Sequence, residues 1–158
     1  MSQKFSPELV ARIEDLWTRY PDRKAVLLPA LHLIQKERDG WLSEETIRDA
    51  SELLGIPDMH IKGVVGFYDM FHDKPVGRHV VRLCKTLSCK LRGADELRRH
   101  IEDKYGIANG QTTEDGRFTF KCFECLGHCS TAPMMLVDEE KYENLTPDQV
   151  DEVLEGLS

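Results

Sequence analysis

The chain has 158 residues, 41% of them apolar and 31% charged, and a formal charge of −7. That length and apolar fraction suffice for one packed domain or two small ones. The acidic balance excludes a nucleic-acid binder as the main reading, because phosphate binding needs a basic face, and the longest apolar stretch, residues 25–34, falls far short of the ~20 residues that span a bilayer.

The first residues, Met1 to Glu8, show no apolar targeting core and no small-residue cleavage site, so secretion is not expected. Ser6-Pro7-Glu8 then reads as a helix start: a serine cap, proline at the first helical position and an acid near the positive end of the dipole. Leu9, Ile13, Leu16, Trp17 and Tyr20 recur at helical steps and predict one apolar face, stopped by Pro21-Asp22. A second helix is predicted from about Arg23 to Arg38, with Leu28, Leu31, His32 and Gln35 on one side and Asp39-Gly40 closing it. His32 has no companion at a metal-binding spacing, so it reads as a helix-face histidine. Ser43-Glu44-Glu45 opens a third helix with Ile47, Ala50, Leu53 and Leu54 inside, ending at Gly55-Ile56-Pro57. Asp58 is expected to cap a fourth through His60, Ile61, Val64 and Val65 to about Tyr68.

Breakers and charges from Asp69 to Arg78 mark a boundary, which gives a helical domain over 1–74 and a second domain over 75–158. Phe67, Tyr68, Met70 and Phe71 beside it read equally as interface or core. Beyond the boundary the apolar period changes. His79 to Leu83 reads as a strand that delivers Cys84, a helix runs from Gly93-Ala94-Asp95 to Tyr105-Gly106, and Arg117 to Phe123 is a second strand. Met134 to Val137 and Lys141 to Glu143 are two more, separated by a turn at Asp138-Glu139-Glu140. Thr146-Pro147-Asp148 opens a last helix with Val150, Val153, Leu154 and Leu157 inside. The order β-α-β-β-β-α predicts a small α/β or α+β sandwich whose strand ends present loops.

All five cysteines lie in this second half, as Cys84-x4-Cys89 and as Cys122-x2-Cys125-x3-Cys129. With no secretion expected, metal ligation takes precedence over disulfides, and thiolates select zinc or an iron–sulfur cluster. A 2Fe-2S cluster asks for two thiolates on each of two irons, and two loops giving two each meet that demand. Gly127 lets the second loop adopt a positive φ and bring its amides close to the sulfurs. A zinc site using Cys84, Cys89, Cys122 and Cys125 is the rival, and a thioredoxin-type redox pair at Cys122-x2-Cys125 is the third reading. Cys122 reads most simply as a small strand residue. His128 raises a Rieske site, which needs a second histidine that is not nearby. No dinucleotide or phosphate-binding glycine motif occurs.

Cys84-x4-Cys89 followed by Arg92-Gly93-Ala94, and Cys125-Leu126-Gly127-His128-Cys129 followed by Ala132-Pro133, resemble the thioredoxin-like 2Fe-2S ferredoxin family. Within it the chain is similar to the 24-kDa-type (E) subunits of bacterial NADH:quinone oxidoreductase, complex I. Gly63-Val64-Val65-Gly66-Phe67-Tyr68, the stretch from Pro75 to His79, and the stretch from Gly110 to Thr119 share in the likeness, which covers nearly the whole chain. The resemblance implies an α+β protein: an N-terminal helical bundle followed by a thioredoxin-like domain. It implies that Cys84, Cys89, Cys125 and Cys129 bind one 2Fe-2S cluster and that the position of Cys122 has no ligand role. It further implies a partner subunit carrying FMN and NADH, further iron–sulfur subunits, and a peripheral place on the cytoplasmic side of the inner membrane, without membrane insertion. Related subunits serve NAD-linked hydrogenases and formate dehydrogenases, and the motif does not separate these. His128 stands where the family often has a small or amide residue.

Overall fold

The computed structural model describes residues 4–158; the first three, part of the N-terminal stretch that shows no targeting core, lie outside the described residues. The chain divides into two compact units, residues 1–75 and 76–158.

The first unit is helical. α1 (Pro7–Arg19) begins as its sequence dictates: the Ser6 side chain accepts the Leu9 amide at 3.1 Å, with Pro7 in the first turn. Leu9 and Ile13 are buried, Leu16 and Trp17 are half-buried, and Tyr20 is exposed. The predicted second helix is two pieces. Asp22 caps a 3-10 turn, Arg23–Val26, which runs into α2 (Leu27–Glu37). Pro29 therefore sits in the first turn of α2, where its missing N–H costs no helical bond.

The buried face of α2 is Leu27, Ala30, Leu31 and Ile34, rotated from the expected Leu28, Leu31, His32 and Gln35. Both sets have helical spacing, but only the first is apolar throughout. His32 is exposed, with its ring 4.8 Å from that of Phe71. α3 (Glu44–Leu54) is capped by Ser43 on the Thr46 amide at 3.0 Å and ends at Gly55, whose φ of +66° closes it in the left-handed region.

α4 (Asp58–Phe67) starts one residue earlier in its capping than expected: Pro57 holds the cap position without a side-chain bond, and Asp58 accepts the Met59 amide instead. Ile61 and Val65 face inward, while His60 is exposed. The aromatic cluster that follows splits, with Phe71 in the core and Phe67 78% exposed.

The second unit is built on a four-stranded mixed sheet in the order β2-β1-β3-β4. Its strands are β1 (His79–Cys84), β2 (Phe118–Phe123), β3 (Met135–Val137) and β4 (Glu140–Tyr142). β1 and β2 run parallel, and β3 is antiparallel to both β1 and β4. The β3–β4 turn is only Asp138-Glu139, shorter than expected, and Asp138 takes a φ of +54° to make it. Aspartate tolerates that conformation better than most residues.

Between β1 and β2 stand a one-turn helix, α5 (Leu87–Leu91), and α6 (Ala94–Tyr105), the crossover that a parallel pair requires. α7 (Pro147–Glu155) closes the chain with a complete capping box between Thr146 and Gln149. Val81, Leu83, Phe118, Phe120, Met135 and Val137 of the sheet pack with Leu97 and Ile101 of α6 and Val150 and Leu154 of α7. The entry to β1 is tight: a Cβ on Gly77 would lie 2.7 Å from the Phe118 backbone, and the Gly77 amide donates to Thr119 Oγ1 at 2.7 Å. That close approach fixes where β1 joins β2.

Candidate iron–sulfur site

β1 delivers Cys84 at its end, where the next amide, Lys85 N–H, still donates to the Phe123 carbonyl of β2 at 2.9 Å. Three residues on, α5 turns Cys89 back towards it. Both thiols are buried, in a small cluster with Ala94, Ala132 and Met134 that is separate from the main core. Met134 ties the two together: its carbonyl accepts the Cys84 amide at 3.2 Å, and its own amide reaches the Cys89 sulfur. The second loop leaves β2 after Phe123 and places Cys125 Sγ 3.5 Å from Cys129 Sγ, both exposed. Gly127 makes this possible with a φ of +85°, and its amide hydrogen-bonds to the Cys125 sulfur.

The two loops meet. The Leu126 amide of the second loop reaches Cys84 of the first, and the Thr86 hydroxyl lies 3.2 Å from Cys84 Sγ. Within each pair one thiol is the more acidic. Burial raises Cys84, but hydrogen bonds from Thr86 and Leu126 outweigh it and leave its pKa lowered. Burial, then its bond to Cys84, pushes Cys89 up to about 11. The Gly127 amide and Cys129 hold Cys125 below its ordinary value, and Cys129 is raised by its bond to Cys125 and by that neighbour's charge. Ligand thiols must give up their protons to a metal, and donors aimed at the sulfurs lower that cost.

Cys122 is not part of this group. It pairs in register with Leu83, one residue before Cys84 on β1, and side chains alternate faces along a strand. Cys122 therefore packs on the Val81, Leu83 and Phe120 face, half-buried, while Cys84 faces the other way. The four-sulfur zinc arrangement built on Cys122 is thus split across the sheet. A redox pair of Cys122 with Cys125 is not brought together either; the sulfur next to Cys125 is that of Cys129.

Among the described residues no group of three or more His, Cys, Asp and Glu side chains is placed to hold a single ion. Two thiolates on one tetrahedral metal with bonds of roughly 2.3 Å lie about 3.8 Å apart, close to the observed 3.5 Å of Cys125 and Cys129. A 2Fe-2S cluster takes two such pairs, one on each iron, and the other two cysteines at this end of the sheet are Cys84 and Cys89.

Cys89, an expected ligand, lies on a helix rather than in an open loop. Met134, expected as the first residue of the third strand, stands just before β3. His128 joins a clamp: its Nδ1 lies 2.6 Å from Glu143 Oε1, which also accepts the Thr131 hydroxyl at 2.8 Å. This ties the second loop to the segment after β4, and the Thr131 hydroxyl, then Lys141 and His128, keep the Glu143 carboxyl below its usual pKa.

A profile of the thioredoxin-like 2Fe-2S ferredoxin family matches residues 13–158, and the chain belongs to that family. It is an α+β protein with a 2Fe-2S cluster as its cofactor. It is 40% identical over 143 residues to the E subunit of NADH-quinone oxidoreductase from Escherichia coli (strain K12), covering 90% of this chain and 86% of that one. It is 39% identical over 145 residues to the second E-type subunit of the same enzyme from Rhizobium meliloti (strain 1021), covering 92% and 86%. The fold also matches a chain in the crystal structure of an NAD+-reducing NiFe hydrogenase in the H2-reduced state, with a TM-score of 0.63 and 21% identity. There it covers 97% of this chain but only 22% of the hydrogenase chain.

Proposed function

We propose that this chain is the electron-transfer subunit of an NADH-quinone oxidoreductase, with Cys84, Cys89, Cys125 and Cys129 holding its 2Fe-2S cluster. The observation that carries the reading is the meeting of two thiol pairs, Cys84 with Cys89 and Cys125 with Cys129, at one end of a mixed sheet. Relatives about 40% identical over most of the chain bear that enzyme's name, whereas the hydrogenase likeness is one of fold. Residues 1–74 serve as a helical docking domain and 75–158 as the ferredoxin domain. A bound 2Fe-2S cluster supplies one-electron chemistry. The protein's residues hold it, donate hydrogen bonds to its ligands and leave one side open; no side chain performs acid–base catalysis.

The partner is a subunit carrying FMN and NADH, with further iron–sulfur subunits beyond it, on the cytoplasmic side of the inner membrane. Among the described residues no helix is long and apolar enough to cross a membrane. Leu87 and Leu91 are 72% and 78% exposed and stand four apart on α5, on one face of the turn that carries Cys89. They are the exposed large hydrophobic side chains of the second unit among the described residues, and we assign them to the flavin subunit's docking face. Leu87→Asp with Leu91→Asp is expected to keep the cluster and slow its NADH-driven reduction by the flavin subunit at least about tenfold, the weight of an interface hot spot. Stopped-flow absorbance reads this; an unchanged rate would reject the assignment.

Anaerobically purified protein tests the main reading. It should be brown, carry about two irons per chain, as a two-iron cluster requires, and give a rhombic EPR signal on reduction. A colourless protein with one tightly held zinc would overturn it.

A further inference from the structure

The two cysteine pairs are held differently. Cys84 and Cys89 are buried with Ala94, Ala132 and Met134, whereas Cys125 and Cys129 are exposed. From Glu124 to Ser130 no residue is buried, and Leu126 only leans, half-buried, on the small cluster around Cys84. Apolar packing therefore does little to keep this loop closed.

The segment between β4 and α7 does more. Glu143 follows β4 directly, and its Oε1 accepts two hydrogen bonds, from His128 Nδ1 at 2.6 Å and from the Thr131 hydroxyl at 2.8 Å. Those two residues bracket Cys129. Beside them the backbone continues the contact: Asn144 N–H donates to the Thr131 carbonyl at 2.8 Å, and Leu145 N–H to the Pro133 carbonyl at 3.0 Å. Leu145 is buried in the core of the second unit and Thr146 caps α7, so this strap is fastened at its far end.

A carboxylate only accepts, so His128 Nδ1 carries the proton that it directs at Glu143, whether or not the ring is charged. Bonds to a charged acceptor are about twice as strong as neutral ones. An isolated surface ion pair would count for little. Here one oxygen takes two donors from one short turn, and the His128 and Glu143 side chains are only 35% and 28% exposed. Iron on this side can leave only when the loop swings away, and both side-chain bonds exist only while it is closed. Openings of that kind cost less than unfolding the domain, and the rate of loss follows the population of the open loop.

We propose that Glu143 is the positioning residue of the exposed cysteine pair: through His128 and Thr131 it keeps the 125–129 loop closed and governs how readily iron leaves that side. This rests on the reading of Cys84, Cys89, Cys125 and Cys129 as the cluster's ligands.

The test is the rate at which the full-length loaded protein gives up iron to excess EDTA, under nitrogen and without denaturant, followed by loss of visible absorption. Glu143→Leu keeps the bulk and removes the acceptor, and should release iron about tenfold faster, the weight of one hydrogen bond to a charged group. Its reduced form should also show broader EPR lines, because a loop held less firmly spreads the geometry of its ligands. Glu143→Gln keeps an acceptor oxygen and should stay within about threefold of wild type, since a neutral bond is about half as strong. His128→Leu and Thr131→Val should each speed release alone but add little to Glu143→Leu, as residues of one network do. If Glu143→Leu does not fold, those two single variants carry the measurement. Wild-type release rates with unchanged EPR lines, or full additivity of Glu143→Leu with His128→Leu, overturn the proposal and leave the ligand assignment standing. A wild-type chain without a two-iron cluster overturns both.

Discussion

Cys129→Ser is expected to strip the protein of its cluster, leaving it colourless with iron well below the two per chain of a 2Fe-2S site, while Cys122→Ser keeps colour and iron. Cys129 Sγ is one half of the pair 3.5 Å apart on the second loop. An iron that loses one of its two thiolates is left with a hydroxyl on an exposed loop, a harder and weaker ligand. Cys125→Ser should act alike, with the added loss of the Gly127 amide contact to its sulfur. Cys122 cannot take over, because its side chain leaves the sheet on the face opposite Cys84. Iron analysis and visible absorption of the anaerobic variants decide the matter. Loss of the cluster in a folded Cys122→Ser protein would sink the ligand assignment.

Phe120→Ala should destabilise the second unit by about 3–5 kcal/mol, the range for removing a buried phenylalanine. Against the typical stability of roughly 5–15 kcal/mol, that is a large share. Phe120 is fully buried, pairs with Val81 across the parallel strands and packs on the core under α6 and α7. β2 also leads directly into the second cysteine loop, so the bleaching of the cluster in urea should report the same loss. A lower midpoint with an unchanged slope is the expected signature, and Phe120→Leu, which leaves a smaller cavity, should cost less. A midpoint shift equivalent to less than about 0.5 kcal/mol, the scale of surface substitutions, would contradict this account of the core.

The parts that local chemistry dictates were readable without the structure. Ser6 before Pro7, Ser43 before Glu44 and Thr146 before Pro147 cap the helices they foretell, since a cap is a contact between residues two or three apart. Strand alternation put Phe118 and Phe120 inside for the same reason. Errors arose where two local patterns competed. On α2 the choice between adjacent faces depended on what lay opposite, and the apolar run from Leu27 to Leu33 did not name a face. Cys89 shows the other kind of error: its spacing from Cys84 reads as an open loop, and only the structure puts Cys89 on a turn of helix.

By itself the sequence determined the chemistry on offer: five thiols, a family signature in Cys125-Leu126-Gly127-His128-Cys129, and a glycine where the loop needs a positive φ. Residue types and short spacings are one-dimensional facts, and so is the likeness they carry. Which thiols meet, which face of β2 Cys122 takes, and which hydroxyls and amides point at the sulfurs were decided only in the tertiary structure. Those depend on the pairing of Leu83 with Cys122 and on contacts between two loops far apart in the chain, which no local preference encodes.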